Sequence, residues 1–523
     1  MQSMKVVTVS EMREIERIAD INGCSYTAML ENAGTNLGKW VHRHFSNLKN
    51  HLVIGLVGSG NNGGDTLVAL DYLAKNGWIS IAYLVKARSK DDVYIKLLRK
   101  DGGEIIEFDS DPKYLLLLGL LNHNAVLLDG ILGTGFKSPM DSLSAKQMES
   151  ILKIIEAKRN NLIIIAVDTP SGIDCTLGTV SEYVIKAEFT ACMEAVKLGL
   201  LRFPASNYIG EIVRIDIGLP PNNEILEEIA LELIDPEFVI CNLPNRPIDS
   251  HKGSFGRSLI YAGSESYVGA TYLCAKAAYY AGVGLVHVFT DNVVYDALSG
   301  NLVEAIWTIN DKCDQTMLEG YISNATSILI GPGIGQTEKS FNFVGGLLNT
   351  IREIKPSIPV IIDADGLKHL QSIKNWIELY SSLQMILTPH PGEMAILTGK
   401  SVSEIQADRI STAIHYAKEW HQVVCLKGAN TVIAFPNGWA SIINAATSAL
   451  ATAGTGDVLA GLICGFCAQG CKPGIAAEIS AYIHAAAGKL SINKKGQNAS
   501  IIASDVLETI PSIIAELKTG NKN

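Results

Sequence analysis

Short apolar runs alternate with helix-like stretches along the first half of the chain. The intervening stretches, such as 65–76 and 143–157, have the mixed composition of amphipathic helices. Alternation of this kind predicts βαβ units and a doubly wound, Rossmann-like parallel sheet, in which ligands bind at the carboxyl ends of the strands. The apolar runs that we interpret as buried strands are 51–57, 79–85, 125–132 and 162–168.

The pattern breaks between residues 219 and 250. LPPNN starts the break, the acidic and helix-like EILEEIALEL follows, and PEFVICNLPNRPIDS adds several prolines. Few helices or strands tolerate that density of proline, so the sequence predicts an interdomain linker here. We therefore expect two domains, one over residues 1–225 and the other over residues 236–515.

After the break the α/β alternation resumes, and the chain ends in helices rich in small residues, at 449–470 and 476–488. No internal repeat connects the two halves. The sequence therefore predicts two different α/β domains fused in one chain. The predicted strands of the second domain are 256–263, 285–290, 327–333, 359–366, 385–390 and 423–428.

Composition narrows the class of protein. The chain has 523 residues, of which 47% are hydrophobic and 18% charged, which excludes a disordered protein. Its formal net charge of −10, without a basic block, argues against nucleic acid as a partner. Small anionic ligands are compatible with that charge, because backbone amides and a few lysines can hold a phosphate.

Cysteine usage and hydropathy predict a cytoplasmic enzyme. The ten cysteines are mostly scattered, and the single CxxC match, Cys464 to Cys467, lies in an apolar stretch that we interpret as helix packing. The charged N-terminal segment does not resemble a signal peptide. No apolar run reaches the length of about 20 residues that a membrane span needs, so we expect no membrane partner.

Three strand ends of the first domain carry candidate chemistry. GSGNNGGDTLVAL follows Val57 and opens a helix whose free amides can hold an anion, although it is neither a Walker loop nor a dinucleotide fingerprint. Such a turn can equally serve only to let the helix pack on the sheet. LLDGILGTGFKSP and VDTPSGID supply further polar groups at strand ends. The alternative is that the aspartates merely cap turns. Otherwise we expect one shared cleft to be lined by Asn62, Asp65, Asp129, Asp168 and Ser171.

The second domain has a comparable set of loops. In NAATSALATAGTGDVLAGLICG the AGTGD turn opens a helix, and Asp457 in the first turn can take a proton from a hydroxyl near a bound phosphate. The alternative is an aspartate that only complements the helix dipole. LTPHPGEMAIL places His390 and Glu393 after a strand, and LKGANTVIA places Lys427 beside a turn. IGPGIG and IIDADGL supply further loops at strand ends.

The first-domain motifs closely resemble the epimerase half of the bifunctional NAD(P)H-hydrate repair enzymes. NNGGD, DGILGTGFKSP and VDTPSGID carry the resemblance, which extends over about residues 5–220. Thr66 departs from the family, which usually has glycine there. The resemblance implies that this half interconverts the R and S epimers of hydrated NAD(P)H, with Asp168 as the acid/base group.

The same resemblance implies a potassium ion held by Asn62, Asp129 and Ser171. Oxygen ligands of this kind suit an alkali or alkaline-earth ion, and no thiolate or imidazole suited to zinc is nearby in the sequence. The residues implied to hold the hydrate are Asn61, Asn62, Gly63, Gly64, Asp65, Gly133, Thr134, Gly135, Phe136, Lys137, Ser138, Pro139 and Asp168.

The second-domain motifs resemble the ribokinase-like fold, and specifically the ADP-dependent NAD(P)H-hydrate dehydratases. GPGIG, DADGL, TPHPGEMAIL, KGANT and GTGDVLAG appear in the family's order over about residues 236–512. YIHAAAGKL, at 482–490, departs from the family pattern HGxAGD and is assigned no role. The resemblance implies that ADP drives dehydration of the hydrate to NAD(P)H, with Asp457 as the base and magnesium bridging the nucleotide phosphates.

The resemblance also assigns the binding residues of this half. Contacts to the hydrate are implied for Ala270, Gly333, His390 and Asp457. Contacts to ADP are implied for Lys427, Gly428, Ala429, Asn430, Thr431, Thr447, Ala453, Gly454, Thr455 and Gly456.

Two other functions are compatible with parts of this pattern. A thiazole or sugar kinase uses the same GTGD arrangement, but it leaves a stable phosphorylated product instead of inorganic phosphate. A scaffold that binds RNA or protein is the non-enzymatic alternative, which the acidic balance and the Asp129/Asp168 pair argue against. The sequence does not choose between NADH and NADPH hydrates, and relatives suggest a homo-oligomer larger than a dimer.

Overall fold

The computed structural model describes residues 3–89, 91–220, 223–444 and 447–519. The chain forms two compact units, one over Met4–Ile229 and the other from Ala230 onward together with Ser3. Among the helices of the described residues, none combines the length and the apolarity that crossing a membrane requires.

The first unit contains nine strands and seven helices among the residues described. Its strands are β1 Met4–Val7, β2 Leu52–Val57, β3 Ile79–Leu84, β4 Glu104–Glu107, β5 Ala125–Gly130, β6 Leu162–Val167, β7 Phe189–Met193, β8 Val196–Lys197 and β9 Glu211–Ile215. Its helices are α1 Val9–Ile21, α2 Tyr26–Phe45, α3 Asn61–Lys75, α4 Val93–Lys100, α5 Leu115–Leu120, α6 Ser142–Lys158 and α7 Glu224–Glu228.

Seven of these strands form a parallel sheet in the order β4-β3-β2-β5-β6-β7-β9, while β1 pairs with β8. Both faces of the sheet are covered, because side chains alternate along each strand. Val53 and Val57 pack in a core with α1 to α4, whereas Leu52, Ile54 and Leu56 pack with α5 and α6. The predicted doubly wound sheet is confirmed, and its strand order reverses between β2 and β5, where such folds bind ligands.

The second unit contains ten strands and thirteen helices among the residues described. Its strands are β10 Leu231–Leu233, β11 Arg257–Tyr261, β12 Leu285–Thr290, β13 Ile306–Ile309, β14 Ser327–Ile330, β15 Pro359–Ile362, β16 Gln384–Leu387, β17 Val423–Leu426, β18 Asn430–Ala434 and β19 Ala440–Asn444. Its helices are α8 Pro236–Asn242, α9 Val268–Ala281, α10 Asn292–Leu298, α11 Gln315–Asn324, α12 Glu338–Ile354, α13 Asp365–Ser372, α14 Trp376–Leu379, α15 Pro391–Thr398, α16 Val402–Ala407, α17 Arg409–Trp420, α18 Thr455–Ala468, α19 Pro473–Lys495 and α20 Ala503–Thr519.

The sheet of this unit runs in the order β13-β12-β11-β14-β15-β16-β17-β18-β19-β10, and only β18 is antiparallel to its neighbours. Ile260 packs with α9, α18, α19 and α20, whereas Leu259 and Tyr261 pack with α11, α12, α13 and α17. Cys464 and Cys467 of α18 are buried in the first of these cores, as the packing interpretation predicts. The strand order reverses between β11 and β14.

The segment interpreted as a linker is more ordered than predicted. The acidic stretch 224–233 is not one helix, because α7 ends at Glu228 and β10 pairs in parallel with β19. Pro236 does not break structure either, because it occupies the first turn of α8, where no backbone N–H is needed. Asp235 caps that helix by accepting a hydrogen bond from the Phe238 amide at 2.8 Å.

Candidate active sites

A cavity of about 750 Å³ lies at the carboxyl ends of β2 and β5, where the strand order of the first unit reverses. Asn61, Asn62 and Asp65 reach it from the first turn of α3, which begins four residues earlier than predicted. Residues 131–136 and Asp168 form further parts of its wall. The structure therefore brings residues of three predicted strand-end motifs to one cavity.

Asp168 follows β6 with a positive φ of 64°, a conformation uncommon outside glycine. Its carboxylate forms an ion pair with Lys197 and accepts a hydrogen bond from the Met193 amide at 3.0 Å. Lys197, whose side chain is 1% exposed, also donates to the carbonyls of Met193 and Ala195 at 3.2 Å. Burial lowers the pKa of Lys197, but the adjacent Asp168 carboxylate outweighs it and the pKa stands above the ordinary lysine value.

Two further carboxyl groups face Asp168 from helices. Burial raises the pKa of Asp65 well above its ordinary value, and the charges of Asp168 and Glu16 add to the effect. Burial also raises the pKa of Glu16 on α1, with Lys197 opposing and Asp168 adding to it. The cavity thus combines an ion-paired aspartate with two carboxyl groups that bind protons more tightly than usual, an arrangement suited to proton transfer.

Asp129 and Ser171 form a second cluster beside the cavity. Both carboxylate oxygens of Asp129 accept hydrogen bonds from Ser171, at 2.6 Å from the hydroxyl and 2.7 Å from the amide. Asn62 donates to the carbonyls of Val167 at 2.6 Å and Leu132 at 3.4 Å. Burial raises the pKa of Asp129 to about 6. Of the three residues predicted to hold potassium, Asp129 and Ser171 are therefore fully buried and in contact, and Asn62 is partly buried in the first turn of α3.

The chemistry of this cluster fits a monovalent cation. Its side-chain donors are oxygens, and Asp129, which is fully buried, has no cationic side chain paired with it among the described residues. A buried carboxylate without a counter-charge is costly, so a cation bound here would relieve that cost. One carboxylate balances one positive charge, which suits potassium better than a divalent ion. No group of three or more acidic, histidine or cysteine side chains that could hold a metal occurs in the described residues.

The remaining residues implied for the hydrate differ in placement. Residues 133–136 line the cavity, whereas 137–139 do not, and Lys137 instead donates to Thr176 at 2.7 Å. A Cβ on Gly63 would come within 2.1 Å of the Gly58 carbonyl. Gly63 and Gly64 are thus packed in α3 and do not line the cavity, so close packing accounts for both glycines.

Asp457 lies in the first turn of α18 in the second unit, after Gly454 with a φ of 90°. Burial raises the pKa of Asp457 to about 7, with Asp363 adding to the shift and Lys427 opposing it. A carboxyl group with that pKa can accept a proton near neutral pH. It also stands at a helix N-terminus, where free amides favour a phosphate.

Lys427 connects Asp457 with two carboxylates at the strand ends. Its ammonium group is 2.5 Å from Asp363 and 3.7 Å from Glu393, and it lies 3.3 Å from where a Cβ on Gly456 would stand. Asp363 is almost fully buried and also accepts a hydrogen bond from Thr388 at 2.8 Å. These carboxylates hold Lys427 beside the amides at the start of α18.

His390 has a clear structural role. Its Nδ1 caps α15 by accepting hydrogen bonds from the amides of Gly392 at 3.0 Å and Glu393 at 3.3 Å. Glu393 completes the capping box by accepting from the His390 amide at 2.9 Å. The His390 side chain is 56% exposed, so its other face is open to a ligand.

Ala270 and Gly333 lie against each other. Gly333 has a φ of 64°, and a Cβ there would come within 2.9 Å of the Ala270 side chain. Leu273, one turn further along α9, is 2.7 Å from the corresponding position on Gly454. One face of α9 therefore runs from the Gly333 loop to the turn that carries Asp457.

The loops implied for ADP leave the same edge of the sheet. Residues 427–429 connect β17 to β18, which begins with Asn430 and Thr431, and residues 447–456 follow β19. Arg409 supports the first loop, because its guanidinium donates to the carbonyls of Leu426 at 2.9 Å and Lys427 at 3.1 Å. Thr431 closes the loop by donating to the Gly428 carbonyl at 3.1 Å.

Sequence reasoning assigned no role to four residues of these sites. Lys197 and Glu16 lie outside the glycine-rich motifs, and Lys197 is joined to Asp168 only through the fold. Asp363 and Glu393 belong to DADGL and HPGEM, which were recognised as strand-end loops without a role for these carboxylates. A carboxylate directly after a buried strand was the signal for Asp363.

Comparison with known proteins identifies the family. Residues 258–512 match the family described as NAD(P)H-hydrate dehydratase, and residues 26–199 match the one described as YjeF-related protein N-terminus. The bifunctional NAD(P)H-hydrate repair enzyme Nnr of Moorella thermoacetica is 34% identical over 98% of this chain and 97% of the relative. The chain belongs to the bifunctional NAD(P)H-hydrate repair enzyme family. The relative of the same name from Thermofilum pendens is 30% identical over 98% of this chain and 97% of its own length.

Two solved structures similar to this family member each cover just over half of the chain. The ADP/ATP-dependent NAD(P)H-hydrate dehydratase of Bacillus subtilis, co-crystallised with ATP and Mg²⁺, is 30% identical with a TM-score of 0.46, over 55% of this chain and 98% of that chain. A ribokinase-like superfamily protein of Enterococcus faecalis is 22% identical with a TM-score of 0.49, over 56% of this chain and 98% of that chain.

Proposed function

We propose that this chain repairs hydrated NADH and NADPH in two steps. Residues 1–225 interconvert the R and S epimers of the hydrate. Residues 236–515 dehydrate the S epimer at the expense of ADP, releasing AMP and phosphate. The observation that carries this proposal is Asp457, a carboxyl group with its pKa raised to about 7 at a helix N-terminus whose free amides can hold a phosphate, in a chain of this family.

Dehydration begins at Asp457. Its carboxylate takes the proton of the hydroxyl on the hydrated nicotinamide ring, and the freed oxygen attacks the terminal phosphorus of ADP. The P–O bond to AMP breaks as the new P–O bond forms. Phosphate then leaves with the former hydroxyl oxygen, the ring loses a proton, and the double bond of NAD(P)H is restored.

The nucleotide lies along the loops that follow β17 and β19. The amides of Gly454, Thr455 and Gly456 hold the transferred phosphoryl group and stabilise the charge that develops on it. Lys427, held by Asp363 and Glu393, supplies a fixed positive charge beside them. Magnesium would bridge the nucleotide phosphates, which are its usual ligands together with water. The remaining residues of the proposed ADP site are Gly428, Ala429, Asn430, Thr431, Thr447 and Ala453.

The hydrate lies on the other side of Asp457. Ala270 and Gly333, which pack against each other, contact it. His390 contacts it with the exposed face of its ring while capping α15 with the other.

Epimerisation takes place in the cavity of the first unit. Asp168 acts there as the acid/base group, oriented by Lys197 and the Met193 amide. Asp65 and Glu16, whose pKa values are raised, supply or receive protons beside it. Potassium would be held by Asn62, Asp129 and Ser171 and would supply a fixed positive charge. The other hydrate contacts that we propose are Asn61, Gly133, Thr134, Gly135 and Phe136, which line the cavity.

We also propose that the enzyme is cytoplasmic and acts as a homo-oligomer. All ten cysteines are free thiols, which suits a reducing compartment. No nucleic acid or membrane is needed as a partner.

The test of this function is the fate of the phosphoryl group. The chain is incubated with S-hydrate, ADP and Mg²⁺, and we expect phosphate release to match the recovery of near-ultraviolet NAD(P)H absorbance. A stable phosphorylated product without recovery of absorbance would identify a small-molecule kinase instead. Asp457→Asn should abolish both signals while ADP still binds.

A further inference from the structure

A cavity of about 650 Å³ in the second unit has no part in the chemistry above. It lies at the carboxyl ends of β11, β12 and β13, on one side of the point where the strand order reverses. Tyr261, Asp291 and Asn310 line it, one from each of these strand ends. The proposed ADP loops follow β17 and β19, far along the sheet in the other direction.

The cavity continues the proposed hydrate site. Ile334 and Gly335, directly after Gly333, form part of its wall. Ser264, another wall residue, donates a hydrogen bond to the Gly333 carbonyl at 2.7 Å. A dinucleotide whose nicotinamide ring meets Asp457 beside Gly333 has ADP on one side, so its adenosine half extends toward β11, β12 and β13.

The charge of the cavity wall is negative. Among its described residues, Glu265, Asp291 and Asp311 oppose a single cation, Lys339. Lys339 already forms ion pairs within the wall, because its ammonium group is 2.7 Å from Asp311 and 3.9 Å from Asp291. The additional 2′-phosphate on the adenosine ribose of NADPH, with a charge of about −1.5 to −2 near neutral pH, would be repelled by these carboxylates.

Asn310 adds an independent requirement for a hydrogen-bond donor. This residue is only 7% exposed, and its Oδ1 has no hydrogen-bond partner among the described residues. Its Nδ2 faces Asp291 at 3.5 Å. A buried amide oxygen without a donor is costly, and a ribose hydroxyl can supply that donor. A phosphate dianion has acceptors only and cannot.

We propose that this cavity binds the adenosine ribose of the hydrate through its free hydroxyls, and that the dehydratase therefore prefers the hydrate of NADH to that of NADPH. Acidic side chains that accept from the ribose 2′-hydroxyl are a general means of selecting NAD over NADP. This inference rests on the proposed function, because it concerns the same substrate and the same site.

The test compares the two pure S-hydrates on the full-length protein with saturating ADP and Mg²⁺. We expect kcat/KM for NADH hydrate to exceed that for NADPH hydrate at least tenfold, mainly through KM. Equal values, or a preference for NADPH hydrate, would overturn the inference while leaving the proposed function intact. Dehydration of neither hydrate would instead count against the proposed function.

Two variants address the cause of the preference. Glu265→Lys adds positive charge at an exposed wall position, and Asp311→Asn releases Lys339 from its closest partner. Each should shift the kcat/KM ratio several-fold toward NADPH hydrate. Glu353→Lys is the matched control, because it makes the same charge change at the far end of α12, on an exposed residue outside the cavity wall.

These variants also separate an effect of the cavity wall from an effect of net charge. For Glu353→Lys, the ratio of kcat/KM for NADH hydrate to kcat/KM for NADPH hydrate should equal that of the unmodified chain. If Glu353→Lys shifts the ratio as much as Glu265→Lys does, net charge alone sets the preference and the cavity does not bind the ribose. If neither Glu265→Lys nor Asp311→Asn shifts the ratio, the inference is also wrong.

Discussion

Removing the cation that faces Asp168 should destabilise the first unit strongly. Lys197→Met leaves the Asp168 carboxylate buried without a counter-charge, since the two side chains are 1% and 9% exposed. It also deprives the carbonyls of Met193 and Ala195 of a donor. Breaking one side of a buried ion pair costs about 3–5 kcal/mol.

The double variant Lys197→Met/Asp168→Asn separates the charge from the packing. Neutral groups of similar size replace both partners, so no uncompensated charge stays buried. We expect the double variant to recover at least half of the stability that the single variant loses. Neither variant should epimerise hydrates, because both lack the acid/base arrangement.

Hydrogen exchange followed by mass spectrometry measures this loss within the intact chain. Peptides from β6 and β7 report on the first unit, and peptides from β15 serve as an internal control in the second. A loss of about 4 kcal/mol corresponds to roughly a thousandfold faster exchange in the most protected amides. Unchanged protection in Lys197→Met, or a double variant less stable than the single one, would refute the reasoning.

Three further predictions concern the two sites. Because burial raises the pKa of Asp457 to about 7, kcat/KM for dehydration should rise with pH and reach half its plateau near that value. Asp457→Asn should lower kcat/KM about 10²-fold or more and remove this pH dependence. A pH-independent profile for the unmodified chain would contradict the prediction. The folded pKa of Asp129, about 6, lies above its unfolded value, so this group's stability contribution is full at acid pH and is lost as pH rises through 6, costing about 3 kcal/mol at neutral pH. Potassium should therefore raise the melting temperature of the first unit more near pH 7.5 than near pH 5, and an equal effect at both pH values would place the ion elsewhere. Gly133→Ala should abolish epimerisation and leave dehydration of S-hydrate unchanged, because the new Cβ would stand 2.3 Å from Asn62 Oδ1. A Cβ on Gly135 meets nothing within 4 Å, so Gly135→Ala should reduce epimerisation less.

Strand ends were predictable from the sequence, because a parallel strand that is buried on both faces is a run of apolar residues. Ligands bind in such sheets at the carboxyl ends of the strands. Two of the candidate residues stand at such strand ends, Asp129 on β5 and Asp168 directly after β6. Asp457 stands in the first turn of α18, which comes after β19. The clustering of Asp129 with Ser171 follows from the strand order, since β5 and β6 are neighbours.

The partners of these carboxylates were not predictable from the motifs. Lys197 lies 29 residues after Asp168 and reaches it only because β7 runs parallel to β6 and ends beside it. Lys427 was predicted for the nucleotide, but its ion pair with Asp363 depends on the packing of three strand ends. Such pairs are set by tertiary distance, which a local pattern does not encode.

The predicted start of α3 and the loss of regular structure expected near residue 236 were wrong, each for a local reason. The sequence pattern placed the start of α3 at Asp65, at the end of NNGGD, yet the helix begins at Asn61 and Gly63 packs against the Gly58 carbonyl. The prolines near residue 236 suggested a break, although one of them begins α8. Glycine occurs both in turns and in closely packed helices, and proline occurs both in loops and in the first turn of a helix. The residues packed around each position decide which of the two structures forms.

The proposed function requires that one chain consume both epimers of the hydrate. The most direct measurement supplies an equilibrated mixture of R and S hydrates with limiting enzyme, ADP, Mg²⁺ and K⁺, and follows both epimers by chromatography together with phosphate. We expect both epimers to disappear, NAD(P)H to be recovered in full, and Asp168→Asn to leave the R epimer behind. Persistence of the R epimer with the unmodified chain, or accumulation of a phosphorylated hydrate, would contradict it.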